Sequence, residues 1–95
     1  HMGAGSITSN VRADKSKITV HAEGGLNIET GLRKFGAILG DYAEIGCNAV
    51  LNPGSVVGRY SRVYPTSNVR GVIPAYSIYK INGAIAAIRA GNSEG

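Results

Sequence analysis

Tryptophan is missing from this 95-residue chain, and phenylalanine and cysteine occur once each. Without large rings the interior cannot be packed from aromatic clusters. A single cysteine, Cys47, excludes an internal disulfide and fits a reducing cytoplasm. No stretch is long and apolar enough to span a membrane. The only histidines are His1 and His21. A zinc site needs three protein ligands, so no metal is expected. His1-Met2 reads as an expression scar and not as a targeting peptide. A chain this short makes one domain at most, and alone it would be marginal.

Acidic residues are also in short supply: six against ten Lys and Arg, for a formal charge of +4. There is no aromatic interleaving and no nucleic-acid motif. Small anionic ligands, phosphates in particular, explain the charge more economically than nucleic acid does.

What the chain has in excess is glycine, fourteen in all, and a period. From Leu39, cutting every six residues gives LGDYAE, IGCNAV, LNPGSV, VGRYSR, VYPTSN, VRGVIP and AYSIYK. The first place reads Leu39, Ile45, Leu51, Val57, Val63, Val69 and Ala75, all aliphatic. In a chain 43% apolar, seven such hits arise by chance roughly three times in a thousand, so the period is real. The second place holds Gly40, Gly46, Asn52 and Gly58, residues tolerant of the backbone angles a corner demands. The fifth holds Ala43, Ala49, Ser55, Ser61 and Ser67, small enough for a narrow interior. Ile73 and Tyr79 break that row near the end, where a solenoid needs a cap. An amphipathic helical protein is excluded, because Gly and Pro punctuate the repeat too often.

Around this repeat the chain divides unevenly. Residues 3–13 also fit it, with Met2 in the aliphatic slot and Ser6 in the small one. The chain thus begins in mid-coil, as a piece of something longer would, with upstream coils missing. Residues 14–36 leave the register: Ile18 and Val20 alternate with polar neighbours, as do Leu26 and Ile28, with Glu23-Gly24-Gly25 between. That pattern predicts a β-hairpin projecting from one corner. Ile81, Ala84, Ile85 and Ile88 have helical spacing, with Asn82 to start and Gly91 to stop a short helix over 81–91. Residues 92–95 read as a disordered tail.

The hexapeptides resemble those of the hexapeptide-repeat acyltransferase superfamily. That resemblance implies an all-β fold: a single-stranded left-handed parallel β-helix over 3–80, three hexapeptides to a coil, with the hairpin inserted at about 14–36 and a helix at the C-terminus. General rules favour right-handed crossovers, so the handedness comes from the resemblance alone. The zinc-dependent γ-class carbonic anhydrase type is set aside for want of histidines. The run Gly3-Ala4-Gly5-Ser6-Ile7-Thr8-Ser9-Asn10, followed later by Arg33-Lys34-Phe35-Gly36-Ala37-Ile38-Leu39-Gly40-Asp41, is more specific. It is similar to the C-terminal half of the bifunctional glucosamine-1-phosphate acetyltransferase / N-acetylglucosamine-1-phosphate uridylyltransferase family.

This resemblance implies a transferase of sugar-nucleotide (UDP-N-acetylglucosamine) synthesis. It would be cytoplasmic and homotrimeric, and would bind acetyl-CoA as co-substrate and an amino-sugar 1-phosphate between subunits. Any Mg2+ would belong to a nucleotidyltransferase domain upstream. Asn10 matches the Asn that contacts the amino sugar, and Lys34 the Lys that holds its phosphate. An amide can fix an amine or a thioester carbonyl, and an ammonium neutralises a phosphate. Cys47 lies where the family places a small residue against acetyl-CoA. Pro65, two coils' worth of register further on, lies near another cofactor contact, and Lys80 or Arg89 would meet the CoA phosphates. The family follows its Asn with Tyr-Asp-Gly; here Val11-Arg12-Ala13 follow, and the hairpin intervenes before Lys34. Its general base is a His in an upstream coil, which His21 does not match, so this piece alone is expected to be inactive. The alternative is a non-catalytic module that trimerises its parent.

Three other features carry a plain reading beside the functional one. Cys47 lacks the His and acid pattern of an activated nucleophile and reads as a small wall residue. Arg12, Lys15, Lys17, Arg33 and Lys34 form either a phosphate pocket or a solvated hairpin surface. Tyr60, Tyr64, Tyr76 and Tyr79 read as external or inter-subunit packing.

Overall fold

Strands only two or three residues long carry the architecture of the computed structural model, which describes residues 1–21 and 27–88. Eight of them follow one another through three parallel sheets in a fixed cyclic order. β4 (Ile38–Leu39) lies in the second sheet, β5 (Glu44–Ile45) in the third and β6 (Val50–Leu51) in the first. β7 (Val56–Val57), β8 (Arg62–Val63) and β9 (Asn68–Val69) repeat the sequence, and β10 (Val72–Ile73) and β11 (Ser77–Tyr79) begin it again. Each strand pairs in parallel with the strand three later, Ile45 against Val63 and Leu51 against Val69. This connectivity is compatible with a three-sided parallel β-helix. β1 (Ile7–Thr8) pairs with β6, Thr8 opposite Leu51, and Met2 bridges Ile45, so the first residues keep the same register across the insertion. Among the described residues there is no helix.

The repeat follows from what each place must touch. Ile45, Leu51, Val57, Val63 and Val69 are buried on the axis with Ala43 and Ala49, while Leu39, at the open end, stays partly exposed. Buried Ser55 and Ser61 satisfy their hydroxyls on backbone carbonyls, Asn52 O at 2.6 Å and Pro74 O at 2.6 Å. The second-place glycines serve another purpose than the one expected. A Cβ on Gly46 or Gly58 would lie 2.4 Å from Pro65 N or 2.3 Å from Ala75 N, so the next coil excludes side chains there. The left-handed backbone falls on the fourth place instead: Tyr42, Asn48, Gly54, Tyr60 and Thr66 have φ between 57 and 82°, and Tyr76, three residues after inward Ile73, has φ 55°. At one corner Tyr42, Tyr60 and Tyr76 stack with centroids 5.0 and 5.1 Å apart, which offsets part of that conformational cost.

Three expectations need correction. The six-residue period ends at Val69, because the corner to β10 is only Arg70-Gly71; Ile73 and Tyr79 therefore take the inward places and Ala75 lies in a turn. Tyr79, expected outside, is buried and donates its hydroxyl to Asn68 O at 2.9 Å. The expected C-terminal helix is absent: Ile85–Ala87 form β12, antiparallel to β11. Gly83 turns the chain at φ 85°, helped by Asn82 Oδ1 accepting Ala84 N at 3.0 Å. The open edge of β11 offers unpaired backbone groups that a strand satisfies and a helix would not. Gly91 and the tail 92–95 lie outside the described residues.

The insertion is a hairpin, β2 (Thr19–His21) against β3 (Asn27–Glu29), with Val20 opposite Ile28. The expected turn at Glu23-Gly24-Gly25, with Leu26, lies outside the described residues. The hairpin's base rests on the coil. Ile18 is 1% exposed and Val20 3%, and a Cβ on Gly54 would fall 2.7 Å from Thr19 O.

Candidate functional site

Two corners of the coil carry the residues singled out from the sequence. At the first, joining the first sheet to the second, Asn10 accepts the Phe35 N–H on its carbonyl at 2.8 Å, and Val11 bridges Lys34. The backbone thus closes the base of the insertion and sets Asn10 and Lys34 beside each other, both exposed. At the second, joining the third sheet to the first, Cys47 and Pro65 sit in successive turns: Thr66 N donates to Cys47 O at 2.9 Å. Pro65 is one coil above Cys47, not two. Cys47 is exposed at the turn and not set in a wall. Lys80, also exposed, follows β11 as Tyr64 follows β8 and so continues this corner; its carbonyl accepts the Gly83 N–H at 2.9 Å. Arg89 lies outside the described residues. The two groups stand at opposite ends of the strands of the first sheet.

Beside the first corner the hairpin encloses a cleft of about 540 Å³. Its wall on the coil is Ser9, Asn52 and Arg70, from successive turns; Arg12 lies just before the insertion, and Thr19 and His21 come from it. The cleft is the feature the sequence reading missed. Its signal was in the second place of the repeat, where Asn52 and Arg70 replace glycine.

Asn52 donates to Val69 O at 2.8 Å and to Asn68 Oδ1, which locks its amide in the wall. His21 Nδ1 is 2.7 Å from Asn27 Oδ1 across the hairpin. Asp14 Oδ1 accepts from Ser16 N at 3.0 Å, Ser16 Oγ at 2.7 Å and Arg12 Nε at 3.3 Å. Hydrogen bonds from Ser16, backbone first, and then Arg12 lower the Asp14 pKa from 3.8 to about 2. Of the five basic residues grouped from the sequence, Arg12 reaches the cleft and Lys15, Lys17, Arg33 and Lys34 do not. No cluster of metal-ligating side chains occurs among the described residues.

Sequence comparison matches the chain to parts of longer proteins. A bifunctional sugar-1-phosphate nucleotidylyltransferase/acetyltransferase of Sulfurisphaera tokodaii is 32% identical over 81 residues, 85% of this chain and 20% of that protein. The bifunctional protein GlmU of Methanococcus vannielii is 36% identical over 61 residues, 64% of this chain and 14% of that protein. The chain belongs to this bifunctional nucleotidyltransferase/acetyltransferase family. It spans about a fifth or less of the length of these relatives. No family model matches it. No helix among the described residues is long and apolar enough to cross a membrane.

Proposed function

We propose that this chain is the acyltransferase-type domain of a cytoplasmic sugar-1-phosphate nucleotidyltransferase, folded as a left-handed parallel β-helix and trimeric. Acetyl-CoA and an amino-sugar 1-phosphate bind between its subunits. The observation that carries this reading is the meeting of Asn10 and Lys34 across an inserted hairpin.

In the reaction, the sugar amine attacks the thioester carbonyl, the C–S bond breaks, and coenzyme A leaves as its thiol. The proton released by the nitrogen passes to a base from outside this chain. Asn10 orients the amine or the carbonyl, and Lys34 neutralises the sugar phosphate. Cys47, Pro65 and Lys80 form the corner along which coenzyme A lies, with Lys80 toward its phosphates. On this reading the Asn10 corner of one subunit meets the Cys47 corner of its neighbour, which brings thioester and amine together in the homotrimer. Light scattering of the chain at high micromolar concentration should give a trimer, and a monomer would contradict the shared site.

Asn10→Ala in the full-length parent should lower the rate of thiol release from acetyl-CoA at least tenfold, with nucleotide-sugar formation intact. An unchanged rate would remove Asn10 from the site. A parent that never transfers acetyl groups would leave the second reading, a trimerisation module, which the Val11-Arg12-Ala13 departure and the insertion favour.

A further inference from the structure

The cleft between the hairpin and the first corner lies beyond the Asn10 and Lys34 assignment, since neither residue lines it. We propose that it is a binding site for a phosphate monoester, with Arg70 as its principal cation. Three features converge on Arg70. It lines the cleft and is exposed, and among the described residues it has no hydrogen-bond or ion-pair partner. It stands where the corner is cut to two residues, Arg70-Gly71, while the corner below runs through Asn52, Pro53, Gly54 and Ser55. A Cβ on Gly71, which also lines the cleft, would meet nothing within 4 Å, so the chain is open at this corner.

The charges around the cleft favour an anion. Arg12, Arg70, Asp14 and His21 are its titratable lining. Asp14 lines the same cleft as a carboxylate held by Ser16 and ion-paired with Arg12, and among the described residues no carboxylate is ion-paired with Arg70, so the two arginines leave the lining with a net positive charge. A guanidinium offers paired N–H groups that match two oxygens of a phosphate, and the hydroxyls of Ser9 and Thr19 add neutral donors at the wall. A volume of about 540 Å³ suits a small molecule. A nucleic-acid strand would need a longer basic track.

The test is a titration of the 95-residue chain by amide NMR at constant ionic strength. Inorganic phosphate is the first probe, followed by glucosamine 1-phosphate and adenosine 3′,5′-bisphosphate. Phosphate should shift the amides of Gly71, Asn52 and Thr19 saturably. Arg70→Gln should weaken binding at least tenfold, and Arg12→Gln less. Arg59→Gln, beside the tyrosine stack, should leave it unchanged. Tighter binding of the sugar phosphate would assign the site to the acceptor, and tighter binding of the bisphosphate to the nucleotide end of coenzyme A. Native affinity in Arg70→Gln, shifts confined to other corners, or no saturable shift would overturn the proposal. Acetyl transfer is not read in this experiment, so it can fail while the acetyltransferase reading stands, and the reverse.

Discussion

Ser61 and Ser67 hold the same place in neighbouring hexapeptides, and both are buried, yet their hydroxyls fare differently. Ser61 Oγ donates to Pro74 O at 2.6 Å and accepts Ser77 N at 3.1 Å. Ser67 Oγ has no hydrogen-bond partner among the described residues, where the chain above it leaves the coil at Lys80 to form a hairpin. Ser61→Ala should therefore cost about 1–3 kcal/mol, as it strands a buried N–H, whereas Ser67→Ala should be neutral or stabilising. Denaturant unfolding of both variants decides this.

Asp14 gives a second contrast at the same scale. Its lowered pKa contributes stability above its ordinary value of 3.8, and that contribution is lost as pH falls toward 2. A carboxyl-carbon NMR titration should give a midpoint near 2, and Ser16→Ala should raise it part of the way back toward 3.8. The small fifth-place residues were legible in the sequence because size alone selects them. The role of the glycines was not: composition cannot separate a left-handed φ from a close approach by the next coil.

At the scale of elements, the hairpin is held to the coil by few side chains, with Ile18 and Val20 buried and Ile28 and Leu32 exposed. Ile18→Ala should cost about 2–5 kcal/mol of hairpin docking. Because Ile18 lies outside the main core, hydrogen exchange should accelerate at Thr19–His21 more than at Leu51 or Val63. Equal acceleration throughout would make the hairpin and coil one cooperative unit. The hairpin itself was legible from its alternation, but not its seat on Gly54, which depends on a contact distant in sequence. The C-terminal helix failed for a similar reason. Ile81, Ala84, Ile85 and Ile88 have helical spacing, but the free edge of β11 outweighs local periodicity. The same blindness hid the two-residue corner at Arg70-Gly71, where a strict six-residue count places Ala75 instead of Ile73 inside.

For the whole molecule, three parallel sheets leave three corners with separate chemistry. One carries stacked tyrosines, with the Arg59 guanidinium 5.8 Å from the Tyr76 ring centre. The others carry Asn10 with Lys34, and Cys47 with Pro65 and Lys80. The proposed site uses both of the latter from different subunits, so the proposal ties catalysis to assembly. The measurement that tests it most directly is thiol release from acetyl-CoA by the full-length parent, with and without glucosamine 1-phosphate. Steady release that depends on the sugar phosphate is the predicted result. No release, from a parent that still folds and forms nucleotide sugar, would contradict it.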